Sequence, residues 1–339
     1  MGHHYSSENY NETMHISKCD NIIELHIADL GLTECPSLSI YLNLTNVNCS
    51  NNKLTFLPEL NTNLKLLNCQ NNYLTSLPDL NLNLKELECS NNKLMFLPKL
   101  NECLIILNCD NNNLTSLPDL NHTNLKFLSC QNNYLTSLPA LNTNLEELYC
   151  INNQLTSLPE LNSKLRCFNC SINQLTSLPA LNTNLQILYC SYNNLNSLPS
   201  LNHNLKLLEC SNNKLTSLPA LNYNLINLIC KYNKLNSLPN FNNCLININY
   251  KGNPVYQIIK FNYTHQLIKL DIQKWNHFRY FYFLSKLRKK FISWMWKSRE
   301  DKIKKQFHPN HLIDFLQNNN ASENDSLDLF LIQWINQNE

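Results

Sequence analysis

Glycine is nearly absent from this chain of 339 residues, which contains only Gly2, Gly31 and Gly252. The sequence therefore has no glycine-rich loop of the kind that cradles phosphate groups. Charged residues are also scarce, at 15%, and the formal net charge is only +2, so no overall field attracts the chain to nucleic acid or membrane. No apolar run reaches the ~18 residues that a membrane-spanning helix needs.

The N-terminal residues 1–21 lack the apolar core and the small-residue cleavage site of a secretory signal. We therefore expect an intracellular, soluble protein. Residues 1–21 are expected to form a polar segment with little order. The length of the whole chain favours two domains.

A repeat of twenty residues runs through the middle of the chain. Most copies read L-x-x-L-x-C-x-x-N-x-L-x-x-L-P-x-L-N-x-x, and their register slips by one residue after His122. A degenerate copy starts at Ile22 and a truncated one ends at Pro254, which gives about twelve units over residues 22–254. A short, fixed period over this length predicts a solenoid, in which each unit packs against its neighbours.

The pattern L-x-x-L-x-C-x-x-N-x-L resembles that of leucine-rich repeat proteins, with cysteine at one apolar position. The short unit with Leu-Pro in its second half is similar to the repeats of bacterial effector proteins, although Asn61, Asn81 and Asn101 stand where those have a second proline. The resemblance implies a curved stack of parallel β-strands. In such folds, function normally lies on the concave strand surface.

Alternation along each unit predicts which strand side chains enter the core. In residues 64–69, Leu67 and Cys69 share one face of the strand, while Leu66 and Asn68 share the other. The apolar pair is expected to point inward, because the same pattern returns in every unit.

The segment that follows each strand contains the Leu-Pro pair. Pro78 leaves too little room for a helix in residues 74–83, so we predict an extended or polyproline-like convex side. Leu74, Leu77 and Leu80 are expected to turn inward.

One asparagine per turn follows the strand at a fixed distance. An amide both donates and accepts hydrogen bonds, so this column is expected to form an asparagine ladder that satisfies backbone groups at each bend. The column comprises Asn52, Asn72, Asn92, Asn112, Asn133, Asn153, Asn173, Asn193, Asn213 and Asn233.

One cysteine per turn occupies an inward position, and we interpret these residues as small apolar packing units. They are Cys49, Cys69, Cys89, Cys109, Cys130, Cys150, Cys170, Cys190, Cys210 and Cys230. Ten equivalent cysteines without a secretory signal favour free thiols over disulfides. The single C-x-x-C motif should not hold a metal, because Cys167 points outward and Cys170 inward. We expect no metal and no cofactor.

Several outward strand positions carry apolar or aromatic side chains, which a purely solvated face does not need. Such a composition is typical of a protein interface. The predicted contact residues are Leu66, Glu86, Ile106, Phe127, Tyr149, Ile187, Tyr189, Leu207 and Ile229. Two alternatives remain: the two domains pack together through this face, or neighbouring parallel strands simply favour apolar residues.

Composition changes from about Val255, and residues 255–339 are predicted to form a basic, aromatic-rich helical module. Apolar residues recur at helical spacing between the cations, which is typical of a cap over the last turn of a solenoid. Contact with RNA or a membrane surface is the alternative. The candidate cations are Lys286, Arg288, Lys289, Lys290, Lys304 and Lys305. His308 and His311 have H-x-x-H spacing without further ligands nearby, and Pro309 fits the first turn of a helix.

Residues 286–316 resemble a C-terminal stretch of repeat proteins from giant DNA viruses of amoebae. Together with the abundance of asparagine, this resemblance indicates a mimivirus-like leucine-rich repeat protein, which would act in the host cytoplasm. It implies no particular activity.

We find no catalytic constellation in the sequence. The leading interpretation is a non-enzymatic scaffold that binds a protein, in a viral setting a host protein, and takes no small-molecule substrate. A second is an adaptor that recruits a ubiquitin ligase, as the bacterial resemblance allows. Intrinsic ligase activity is disfavoured, because no cysteine follows Cys244. A third is an RNA- or membrane-binding protein that acts through its basic module.

Overall fold

A computed structural model gives the structure of the protein. It describes residues 3–4, 22–258, 272, 274–276, 279–280, 284–290 and 292. The chain separates into two compact units, residues 1–273 and 274–339. The proposed boundary of the repeat region near Pro254 lies within the first unit.

The first unit contains a parallel sheet of thirteen strands that follow one another in chain order. The strands are β1 (His3–His4), β2 (Glu24–His26), β3 (Asn46–Asn48), β4 (Leu66–Asn68), β5 (Glu86–Glu88), β6 (Ile106–Asn108), β7 (Phe127–Ser129), β8 (Glu147–Tyr149), β9 (Cys167–Asn169), β10 (Ile187–Tyr189), β11 (Leu207–Glu209), β12 (Asn227–Ile229) and β13 (Asn247–Asn249). Each strand pairs with the next in the chain, so the backbone advances by one turn per repeat. The predicted solenoid is confirmed.

The strands are shorter than the alternating segments of the sequence, with three residues in each from β2 to β13. The central residue of each strand is buried, and the flanking two lie on the opposite face of the sheet. Leu67, for example, is fully buried and pairs with Leu87. Period-two alternation therefore predicted both faces correctly.

The core consists of leucines and the cysteine column. Leu64, Leu67, Cys69 and Leu74 each have a relative exposure of 0%. All ten cysteines of the column are buried and free, as predicted. Burial raises the pKa of the Cys69 thiol to about 12, which keeps the group protonated and apolar.

The segment that returns from one strand to the next contains neither helix nor strand over residues 74–83, as the position of Pro78 predicted. Leu74 and Leu77 are buried. Leu80 is only half-buried, so the expectation of a third inward leucine was wrong for this turn. The Asn81 side chain beside it bonds to the backbone of the preceding turn, but this bond is not the cause, because Asn101 makes the equivalent bond and Leu100 is buried.

The asparagine ladder is present, and Asn153 shows its geometry. Its Nδ2 donates to the carbonyl oxygens of Cys130 and Cys150 at 3.0 and 3.2 Å. Its Oδ1 accepts from the backbone N–H of Leu135 at 3.0 Å. One side chain therefore joins the backbone of two turns inside the molecule, where water does not reach these groups.

A second column of asparagines, on the return side, forms a ladder of its own. Asn182 Nδ2 donates to the carbonyl oxygens of Asn162 and Leu165 at 2.7 and 3.1 Å, while its Oδ1 accepts from the backbone of Asn184 at 2.8 Å. The side chains of this column thus join neighbouring turns by hydrogen bonds on the return side.

The one-residue slip after His122 interrupts that return-side ladder. Thr123 is buried there, and both its N–H and its hydroxyl donate to the Leu120 carbonyl oxygen, at 3.0 and 2.7 Å. Asn142 then bonds to the Thr123 and Leu125 carbonyls, and its own Oδ1 is buried without a partner among the described residues. The inserted residue is thus absorbed away from the sheet, whose pairing continues without a break from β6 to β7.

Helix appears only toward the C-terminus of the described chain. Helix α1 spans Pro254–Ile258, and residues 284–290 are also helical. No helix among the described residues is long and apolar enough to cross a bilayer. Several predictions concern residues outside the described set: the order of residues 1–21 apart from β1, the roles of Lys304 and Lys305, and the His308–His311 motif.

Candidate functional site

The first and third residues of each strand from β2 to β13 form a continuous surface, which we call the outer sheet face. Its side chains are half-buried, with the exceptions of buried Ser129 and exposed Asn247. All nine predicted contact residues lie on this face, because each is the first or third residue of its strand. They are Leu66, Glu86, Ile106, Phe127, Tyr149, Ile187, Tyr189, Leu207 and Ile229.

An aromatic group occupies the middle of the outer sheet face. The rings of Phe127 and Tyr149 have centroids 5.7 Å apart and are tilted by 43°. The Tyr149 hydroxyl donates to Glu147 Oε2 at 3.0 Å, and the Cys167 thiol donates to the Tyr149 oxygen at 3.4 Å. Burial, the Cys167 thiol and the Glu147 carboxylate together raise the pKa of Tyr149. The phenol therefore stays protonated and is held in place by its neighbours.

The turns around β5 to β7 bring carboxylates together on the same face. Glu86 and Glu88 are the outward residues of β5. Asp110 follows β6 and accepts hydrogen bonds from the Ser129 hydroxyl and the Gln131 N–H, both at 2.7 Å. The sequence alone did not indicate Asp110, although its position directly after an inward cysteine is the signal that places it there.

Burial raises the pKa of Asp110 despite its hydrogen bonds to Ser129 and Gln131. The pKa of Glu88 is raised by burial and by the nearby negative charges of Asp110 and Glu86. The carboxylates thus lie close enough to repel one another in a partly dehydrated environment. A positive charge placed among them would relieve that repulsion.

Basic residues are found along the edge where the strands begin. They precede the first strand residue and are exposed, and the column comprises Lys65, Lys85, Lys126, Arg166 and Lys206. Lys126 and Arg166 approach the Glu146 carboxylate at 3.9 and 3.8 Å. Such exposed ion pairs contribute little stability.

The C-x-x-C motif has the geometry predicted for it. Cys167 lies on the outer sheet face, whereas Cys170 is fully buried on the other side of the strand. The two thiols therefore cannot share a metal ion. Across the residues that the structure describes, no group of three or more metal-ligating side chains is found.

The described basic residues of the C-terminal unit lie on exposed helix. Lys286, Arg288, Lys289 and Lys290 fall within residues 284–290, all of which are exposed. Leu284 and Leu287 are exposed at 42% and 48%. The predicted helical spacing is thus present in this stretch.

A parallel sheet with one short strand per turn of about twenty residues, an inner leucine core and an asparagine ladder defines a leucine-rich repeat solenoid. Residues 123–163 match the family described as "Leucine Rich repeats (2 copies)". No curated protein sequence matches the chain.

Solved structures of bacterial proteins resemble this chain. YopM from Yersinia enterocolitica WA-314 is 34% identical, with a TM-score of 0.58 over 68% of this chain and 56% of its own. YopM from Yersinia pestis, described as a leucine-rich effector protein, is 29% identical, with a TM-score of 0.51 over 68% of this chain and 84% of its own. The chain thus spans little more than half of the first YopM structure. It is a leucine-rich repeat protein with similarity to bacterial effectors of that class.

The functional domain of InlJ from Listeria monocytogenes is 25% identical, with a TM-score of 0.50 over 75% of this chain and 58% of its own. That domain is described as including a cysteine ladder. The present chain also has a column of buried cysteines, one in each turn from Cys49 to Cys230.

Proposed function

We propose that this protein is a non-enzymatic scaffold that binds a partner protein through its outer sheet face. The observation that supports this most directly is the alignment of apolar and aromatic side chains on the outward positions of neighbouring strands. Tyr149 and Tyr189 lie two strands apart on this face, and Ile187 pairs with Leu207 across the next interval. Residues of this kind are enriched in protein interfaces.

These side chains are not needed to build the core. In each strand the central residue enters the core, together with the cysteine and leucines that follow. A polar outward residue fits the same backbone, as Asn68 and Asn169 show on β4 and β9. The apolar residues therefore contribute a surface that a partner protein can dehydrate.

The leucine-rich repeat fold is typical of protein-binding scaffolds, and the similarity to YopM supports an effector-like role. We further propose that the partner is a host protein, on the basis of the resemblance of residues 286–316 to giant-virus proteins. In this proposal residues 22–254 form the scaffold and residues 255–339 a separate module.

The test is affinity capture from amoebal cell extract with the full chain as bait. A variant carrying Tyr149→Glu and Tyr189→Glu should lose the captured partner, since charged groups would replace central anchors of the interface. The matched control is Tyr134→Glu, because Tyr134 is exposed at 52% and lies outside the strands. Equal melting temperatures of the bait variants would show that the loss arises at the surface. Full retention of the partner by the double variant would contradict the proposal.

Exposed cations in the helical residues 284–290 favour a second candidate function, contact with RNA or an anionic membrane. A variant with Lys289→Gln and Lys290→Gln separates the two. Protein capture through the outer sheet face should survive this change. Loss of capture only in the lysine variant, with a steep dependence on salt, would favour the electrostatic function.

A further inference from the structure

The outer sheet face is negatively charged, although the whole chain is slightly positive. Among the first and third residues of β2 to β13, there are five carboxylates and no lysine or arginine. The carboxylates belong to Glu24, Glu86, Glu88, Glu147 and Glu209. The only basic group at these positions is His26, which lies 3.4 Å from Glu24. Lysines and arginines lie at the two edges instead, as Lys85 and Lys126 do where strands begin and Lys231 and Lys251 do after β12 and β13.

The carboxylates of this face are densest in one part of the solenoid, and its apolar side chains are most numerous in the next. Glu86 and Glu88, joined by Asp110, occupy the turns of β5 to β7. Apolar and aromatic side chains such as Tyr149 and Ile187 are more numerous from β8 to β12, where the outward carboxylates are only Glu147 and Glu209. A partner segment that crosses these strands would therefore meet two chemically different regions in succession.

The bend after each strand provides an independent observation about the apolar region. One residue in each bend has a left-handed backbone, and asparagine occupies that position in most turns. Asp29 and Gly252 replace it in two bends, and Ile172, Tyr192 and Tyr232 in three others, with φ of 57°, 56° and 52°. Asparagine tolerates this conformation, whereas a β-branched or bulky residue is an outlier there.

These three left-handed side chains are exposed at 46%, 59% and 52%. They belong to the bends that follow β9, β10 and β12, at the strand-end edge of the outer sheet face. Exposed apolar side chains of this kind add area that a partner can dehydrate. The apolar region thus extends from the sheet onto its rim.

We infer that the outer sheet face takes an extended protein segment with lysine or arginine at one end, over β5 to β7, and large apolar side chains at the other, over β8 to β12. This inference rests on the proposed function and specifies the chemistry of its partner. Seven strand intervals of ~4.8 Å separate β5 from β12, a distance on the order of 34 Å. An extended segment of roughly ten residues covers that distance.

A random dodecapeptide library displayed on phage provides the probe, with the full chain as the immobilised target. Enriched sequences should carry lysine or arginine toward one end and aromatic or aliphatic residues toward the other. A synthetic peptide of the enriched sequence should then lose about tenfold or more in affinity for the variant Glu86→Lys/Glu88→Lys, since opposite charges become like charges. Its affinity for the wild type should also fall as salt increases.

Glu59→Lys/Asp79→Lys is the matched control, because both carboxylates are exposed on the return side. This variant has the same net charge as the first and should bind the peptide as the wild type does. A third variant, Ile172→Asn/Tyr192→Asn, removes the apolar rim with residues suited to a left-handed backbone. We expect it to weaken binding several-fold without loss of stability.

Four outcomes would overturn the inference: no enrichment, enrichment of acidic or uncharged sequences, binding that Glu86→Lys/Glu88→Lys leaves intact, or a dimer of the full chain that the same variant dissolves. The last result would assign the surface to a second copy of this chain. The proposed function and this inference can be contradicted independently of each other. If host-protein capture is lost with Tyr149→Glu/Tyr189→Glu but kept with Glu86→Lys/Glu88→Lys, the scaffold proposal stands and a cationic partner is rejected.

Discussion

Leu135 and Asn153 belong to adjacent turns of the solenoid, and the Leu135 backbone N–H donates to the Asn153 Oδ1 at 3.0 Å. The same arrangement recurs between Leu54 and Asn72 and between Leu215 and Asn233. The backbone at these bends has no strand partner, so a side chain supplies the missing acceptor. Stability at the bends therefore depends on a single amide in each turn.

Replacing that amide should be costly. We expect Asn153→Ala to lower the free energy of unfolding by about 1–3 kcal/mol, because the Leu135 N–H and two carbonyls are left without this partner in the core. The neighbour Asn152 is exposed and left-handed, with φ of 53°, so Asn152→Gly is a suitable control. It should change stability by less than about 0.5 kcal/mol. Denaturant unfolding of both variants measures the difference; equal losses would show that the ladder has no special role.

The left-handed bend after each strand can be tested with two reciprocal substitutions of asparagine and isoleucine. Ile172→Asn should stabilise the protein by about 1 kcal/mol, since asparagine adopts positive φ more readily than a β-branched residue. Asn212→Ile, at the equivalent bend with φ of 53°, should destabilise it by a similar amount. Thermal unfolding of the two variants measures both the expected gain and the expected loss of stability. A loss of stability in Ile172→Asn or a gain in Asn212→Ile would mean that side-chain contacts, rather than the backbone conformation, determine stability at this position.

Thiol reactivity should follow burial. Cys103 and Cys244 are exposed and are expected to react first with iodoacetamide. Cys167 should follow more slowly, because partial burial raises its pKa. The ladder cysteines should react only after denaturation, because burial raises the pKa of thiols in that column, such as that of Cys150. Mass spectrometry of pulse-labelled native protein tests this order, and early modification of Cys150 or Cys190 would contradict the inward assignment.

The carboxylates of β5 to β7 predict a dependence of stability on pH. Burial, with Asp110 and Glu86 nearby, raises the folded-state pKa of Glu88 above the usual 4.5. The folded protein then binds a proton that the unfolded chain has released, so Glu88 favours folding at low pH and loses that contribution as pH rises through the raised pKa. Wild type should therefore gain stability relative to Glu88→Gln as pH is lowered from about 7 to about 4.5. Melting curves across this range measure the gap between the two proteins, which would stay constant if the carboxylate were not perturbed.

Much of the fold was predictable because each turn is dictated by residues within one repeat. The period of twenty placed Cys150 in the core and Asn153 at the bend, and alternation placed Tyr149 and Tyr189 on the outer sheet face. These assignments need only local geometry and the repeated pattern.

Features that depend on contacts between turns were less accessible. The return-side ladder escaped notice because an asparagine such as Asn182 is equally compatible with an exposed loop until its carbonyl partners on the previous turn are known. The left-handed backbone at Ile172 was hidden for another reason, since isoleucine is a residue that strongly disfavours it. Asp110 required knowledge of where the chain turns after β6.

Because each asparagine side chain bonds to the backbone of an adjacent turn in the same way along the column, the interior of the solenoid has no fixed number of turns. A whole twenty-residue unit gained or lost by unequal recombination would leave every remaining hydrogen bond with an equivalent partner. Such an event would lengthen or shorten the strand surface by one step of ~4.8 Å without disturbing its register. Evolution can therefore change the length of the strand surface by whole repeats, while substitutions at the outward positions change which side chains that surface presents.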